Sequence, residues 1–245
     1  MATSRRSGGR VENEPAFVLH SHAYRETSLI VELLTREHGR VAVVARGAKR
    51  PRSALRSVLL AFQPLQVSWA GQGELRSLIG AEWLGGLAPP RGRALLCGFY
   101  MNELILRLLR RDDPHPALFD GYLRCLGRIG ADASMLEPAL RQFEWSLLRE
   151  AGHAPDLRHD AHGSAIEASR CYRLGAEGGF EPVQADRSPT RADYSGAMLL
   201  ALAEGRVEDA GSPAQAKQLT RAIISRELNG EPLHTRKLLL DLYRL

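Results

Sequence analysis

Cysteine is scarce in this chain. The three present, Cys97, Cys125 and Cys171, are odd in number and far apart, which argues against a disulfide scaffold and fits reduced thiols. Metal-ligand spacing is missing too. His159, Asp160 and His162, with Cys171, have ligand chemistry but no paired Cys or His pattern, so no metal or other cofactor is expected. No apolar run approaches the ~18–20 residues needed to cross a bilayer. The opening MATSRRSGGRVENE carries positive charge without an apolar core, so no secretory signal is expected and the expected location is cytoplasmic. Walker A, HExxH and GxSxG motifs are all lacking. Gly71-Gln72-Gly73 has no third glycine and reads as a hairpin turn. The adjacent carboxylates Asp112 and Asp113 diverge on any regular element. No catalytic constellation emerges, and an enzyme is not expected. Lysine is nearly absent, with only Lys49, Lys217 and Lys237, and aromatics make up only 6%.

What is present is an ordinary globular composition over 245 residues, 44% hydrophobic and 25% charged, which allows one or two domains with a sizeable core. The net charge is +5. Its distribution says more than its size. From Arg40 to Arg56 the charged residues are Arg40, Arg46, Lys49, Arg50, Arg52 and Arg56, with no acid among them. An acid-free basic stretch is the electrostatic footprint of a polyanion site, and arginine suits bidentate phosphate contacts. The competing reading is a solvated surface loop.

Residues 1–14 are polar and aperiodic and read as a flexible tail. From 15 to 86, short apolar stretches alternate with turn signals. Phe17–His20, Leu29–Leu34, Val41–Ala45, Leu65–Trp69 and Leu75–Ile79 have strand length. Leu65, Val67 and Trp69 alternate with Gln66 and Ser68, and Gly39 suits a turn needing positive φ. Five short strands in about 70 residues suggest a small closed barrel, most economically a five-stranded OB-fold. After Pro89-Pro90 the period becomes helical, over Leu95–Leu108, Leu118–Ile129, Pro138–Ala151, Ala197–Ala203, Pro213–Leu228 and His234–Tyr243. Residues 152–190, rich in Gly, His, Asp and Pro, read as an irregular, loop-rich insertion. The expected class is α+β, with an N-terminal OB barrel over 15–86 and an α-helical domain over 87–245. The basic stretch falls at a strand end of the barrel, where OB-folds meet nucleic acid. Tyr24 and Phe62 are candidate stacking rings, though packing is the commoner fate of such residues.

Four stretches also resemble a known family, the bacterial DNA repair protein RecO. These are Ala16–Leu33 with its Tyr24-Arg25-Glu26-Thr27-Ser28 core, Thr35–Ser53, Phe62–Glu82, and Gly98–Leu109 followed by Asp113-Pro114-His115-Pro116 and Phe119. A looser match covers Lys217–Leu240. The resemblance implies a non-enzymatic, nucleoid-associated recombination mediator. It would bind single- and double-stranded DNA and anneal complementary strands. With RecR, and often RecF, it would help load RecA onto DNA coated with single-stranded DNA-binding protein (SSB), whose acidic tail it contacts. On this reading Arg40, Arg46, Lys49, Arg50, Arg52 and Arg56 form the DNA surface. An apolar stripe at Leu104 and Leu108 beside Arg107, Arg110 and Arg111 would receive the SSB tail, unless the stripe is buried and the arginines only cap the helix. Some relatives hold a four-cysteine zinc module. Here the corresponding stretch, Ile166–Val183, keeps only Cys171, so the metal should be absent and other contacts must hold the loop. The alternatives are an OB-fold module that binds RNA or tRNA, and a hydrolase with an unrecognised site.

Overall fold

The structure is a computed structural model that describes residues 9–184, 190, 192–206 and 213–242. Five strands open the chain: β1 (Arg10–Tyr24), β2 (Ser28–Thr35), β3 (Gly39–Ala45), β4 (Leu65–Ala70) and β5 (Leu75–Trp83), with a short helix α1 (Ala54–Val58) between β3 and β4. They close in the order β1-β2-β3-β5-β4. All neighbours are antiparallel except β3 with β5. Closure in this order, with a helix between the third and fourth strands, is the OB-fold. Alternation decides which side chains fill it. Val31, Leu33, Val41, Val43, Leu65, Val67 and Trp69 are buried together inside the barrel. Leu55 and Val58 of α1 pack onto the same core with Leu78 and Ala81 of β5, so α1 plugs one end of the barrel.

β1 is longer than its apolar run. It begins at Arg10, so Arg10–Glu14 of the stretch expected as a tail is paired strand, opposite β4. Residues 1–8 of that stretch lie outside the described residues. The continuous run Ala16–Leu19 is buried on both faces, as an unbroken apolar strand requires. Ala16 and Val18 face the barrel core, while Phe17 packs against Phe119 and Tyr122, with ring centroids 5.3 and 5.0 Å away.

Six longer helices make up most of the rest: α2 (Arg93–Leu108), α3 (Pro116–Ala131), α4 (Leu136–Glu150), α5 (Gly196–Ala203), α6 (Pro213–Glu227) and α7 (His234–Leu242). Buried polar groups between α2, α3 and β1 are satisfied. Tyr122 Oη donates to Asn102 Oδ1 at 2.6 Å, and Asn102 Nδ2 donates to the Leu19 carbonyl at 2.8 Å. Burial pushes the Tyr122 hydroxyl far above its ordinary pKa, so it remains a donor.

The chain divides into two compact units. One comprises the described parts of Met1–Leu136 and Leu233–Leu245, and the other is Glu137–Pro232. The barrel thus shares a unit with α2, α3 and the C-terminal helix α7. Within the stretch expected to be irregular, β6 (Cys171–Leu174) and β7 (Phe180–Pro182) form a sheet with β8 (Asp193–Ser195), in the order β7-β6-β8. Residues 185–189 lie outside the described residues. Arg173 Nε donates to Asp193 Oδ1 at 2.7 Å, and Asp193 Oδ2 accepts from the Thr190 amide at 2.6 Å. Burial pushes the Asp193 carboxyl up, but these bonds outweigh it and hold the pKa below the usual range.

Candidate nucleic-acid interface

The basic stretch leaves the barrel at Ala45, the last residue of β3. Two apolar anchors, Ala45 and Ala48, are fully buried in the barrel core. Between them Gly47 sits at φ +70°, the left-handed turn that favours glycine. Backbone bonds hold the rest of the segment. The Lys49 amide donates to Thr27 O at 2.9 Å, Arg50 N to Gly47 O at 3.0 Å, and Ser53 N to Arg50 O at 3.0 Å. The backbone is fixed while the charged side chains are turned outward. Arg46, Lys49, Arg50, Arg52 and Arg56 are all exposed. Among the described residues, none of the five forms an ion pair with a carboxylate. Five cations on one anchored segment without local countercharge leave a potential that an approaching polyanion would neutralise.

Arg40 does not belong to that surface. Its side chain is only 15% exposed, and its Nη1 donates to the Leu106 carbonyl. Its Nε lies 3.8 Å from Glu32 Oε2. Burial lowers its pKa and Glu32 opposes that shift. The reason is topological. Arg40 bridges to Arg111 in the chain leaving α2, with Asp112 N donating to Arg40 O at 3.0 Å, so this end of β3 is covered.

The fold also brings near this segment a basic residue that the charge run does not contain. The Lys49–Thr27 bond ties the basic segment to the β1–β2 turn, which carries the exposed Arg25 at φ +52°. The Arg25 guanidinium lies 5.1 Å from the centroid of the Tyr24 ring. Glu26, beside it, is exposed as well. The signal was available: the loop between the first two strands of an OB-fold is one of its ligand-binding loops. Of the two candidate stacking rings, Phe62 is buried against Phe99 at 4.9 Å, and Tyr24 is partly covered.

The arrangement expected to receive an acidic tail is not formed. Leu104 is fully buried and Leu108 nearly so, because they face inward from α2. The helix ends at Leu108, so Arg110 and Arg111 lie beyond its last turn, and Arg111 pairs with Glu32. Arg110 is exposed, and Arg107 is half-buried. The stripe is core, the alternative that helical spacing leaves open.

In the other unit, His159 Nδ1 lies 2.9 Å from Asp156 Oδ2. Asp160 Oδ1 accepts from the amides of His162 and Ser164, both at 2.9 Å. These residues serve turns. Among the described residues, no group of three or more His, Cys, Asp or Glu side chains could hold a metal. No helix there is long and apolar enough to cross a membrane.

Comparisons with known proteins divide the chain at the end of the barrel, not at the boundary between its two compact units. The family described as "Recombination protein O N terminal" matches residues 10–87, and "Recombination protein O C terminal" matches residues 90–237. The DNA repair protein RecO of Burkholderia pseudomallei (strain 1710b) is 46% identical over 244 residues, covering 100% of this chain and 88% of the relative. Those of Azoarcus sp. (strain BH72) and Nitrosospira multiformis are 45% and 47% identical, each covering 96% of this chain and 98% of the relative.

Proposed function

The chain belongs to the RecO family of DNA repair proteins, and from that premise we propose that it is a non-enzymatic mediator that binds single- and double-stranded DNA and anneals complementary strands. One observation carries the reading: Arg46, Lys49, Arg50, Arg52 and Arg56 are exposed, form no ion pair among the described residues, and are fixed to the barrel by buried anchors. Annealing brings two polyanions together, so their charge must be neutralised. The pairing edges of the bases must stay free, so the contacts that hold the strands should fall mainly on phosphates, which position a strand without reading it.

The proposed partners are RecR, often RecF, and SSB through its acidic tail, with RecA loaded onto the cleared strand. The SSB tail would dock elsewhere than on the buried Leu104–Leu108 stripe of α2. The direct test is annealing of complementary strands coated with SSB, followed by fluorescence transfer between end labels. The wild-type chain should accelerate annealing, and Arg50→Ala/Arg52→Ala should slow it at equal protein concentration. A chain that binds single strands of RNA and DNA alike but leaves annealing at its spontaneous rate would overturn the reading in favour of an RNA-binding module.

A further inference from the structure

The barrel carries an exposed apolar feature next to its cations. β3 pairs with β5 only as far as Val44 opposite Ser77, yet β5 continues to Trp83. Past that point α1, the helix that carries Arg56, packs against β5. Two features of this free end are unusual. A bulge between the pairs Ser68–Gly80 and Trp69–Leu78 leaves Ile79 without a partner, and Ile79 is 50% exposed. Trp83 is paired only on the β4 side, opposite Leu65, and is 59% exposed, whereas Trp69 and Trp145 are buried. The backbone beneath the indole is held, since Leu84 N donates to Pro64 O at 3.0 Å. The neighbouring acid, Glu82, pairs with Gln66 and alternates to the opposite face.

We propose that Trp83 is a stacking platform for an unpaired base of a strand whose phosphates lie on the basic segment. The inference rests on the polyanion reading of that segment and adds a preference for single strands. The occupant must meet two needs together: flat apolar faces for an exposed indole, and a high density of negative charge for the acid-free cations of α1 and the preceding loop. An unpaired polynucleotide offers both. In a duplex the base faces are stacked on one another and closed to the indole, so only phosphate contacts remain. Annealing would then withdraw the base from Trp83 and release the product.

Trp83 is the exposed tryptophan of the three, so its emission reports directly. The full-length chain is titrated with a single-stranded oligonucleotide and with a duplex of the same length, alongside Trp83→Ala, Trp83→Phe and Arg50→Ala/Arg52→Ala. The single strand should quench the emission and the duplex should not. Trp83→Ala should lose about tenfold in single-strand affinity, Trp83→Phe should keep most of it, and duplex affinity should hold for both. Equal weakening of single-strand and duplex binding by Trp83→Ala overturns the proposal, as does no weakening. If Trp83→Ala alters only the sedimentation of the chain, the residue belongs to a protein contact and the proposal fails. In each of these cases the polyanion reading stands if Arg50→Ala/Arg52→Ala still weakens both ligands. If the double variant binds both normally, that reading has failed instead.

Discussion

Arg40 and Arg50 stand ten positions apart in one acid-free run, yet they meet different surroundings. Arg40 is packed under the chain leaving α2 and shares Glu32 with Arg111, whereas Arg50 projects from an anchored turn into solvent. Arg40→Ala should therefore cost stability, about 1–3 kcal/mol, for the lost bond to Leu106 O and the weakened neutralisation of Glu32. It should leave the salt dependence of DNA binding unchanged. Chemical denaturation and a salt titration of the same variant check both halves. Arg40 was not legible as a largely covered residue. A charge run reports how much charge a segment carries, but not which side chain a distant helix end will cover. Leu104 and Leu108 carry the same lesson, since helical spacing identifies an apolar face without saying whether anything is packed on it.

Elements were more legible than side chains. The five barrel strands and the helices arise from alternation, turn glycines and helical period, because each is set by neighbours close in sequence. The sheet β7-β6-β8 was not legible. Its strands are three or four residues long, and it depends on contacts distant in sequence such as Arg173 with Asp193. Long-range contacts also decide two outcomes at the scale of elements. Gly39 turns β2 into β3 at φ +68°, and a Cβ there would lie 2.0 Å from the Asp113 carbonyl oxygen. Gly39→Ala should destabilise the chain by about 2–4 kcal/mol, read as a lower denaturation midpoint. The second concerns α7, whose first amides are capped from α2. Glu103 accepts from His234 N at 2.7 Å, Thr235 N at 2.9 Å and Thr235 Oγ1 at 2.6 Å. Burial pushes the Glu103 carboxyl up, but these donors outweigh it, and its pKa ends below the usual range. A depressed folded pKa gives stability that is complete above the unfolded value, about 4.3, and is lost as pH falls through the lower folded value. Glu103→Ala should cost about 1–2 kcal/mol at neutral pH. The gap between wild type and variant should close only in acid. Amide hydrogen exchange in α7 at pH 7, with denaturation at pH 7 and pH 3, measures it.

Across the whole molecule, a net charge of only +5 would not by itself direct the chain to nucleic acid. On the proposed reading placement does so, because five cations that form no ion pair among the described residues share one anchored segment at the end of a barrel. The most direct test is the affinity for a single-stranded oligonucleotide measured against salt concentration. If all five cations contact phosphates, log K should fall with log salt at a slope of roughly −3.5, from ~0.7 per phosphate. Arg50→Ala/Arg52→Ala should flatten that slope by ~1.4 and weaken binding to every base sequence alike. A folded double variant with the wild-type slope would contradict the account and move the DNA surface elsewhere.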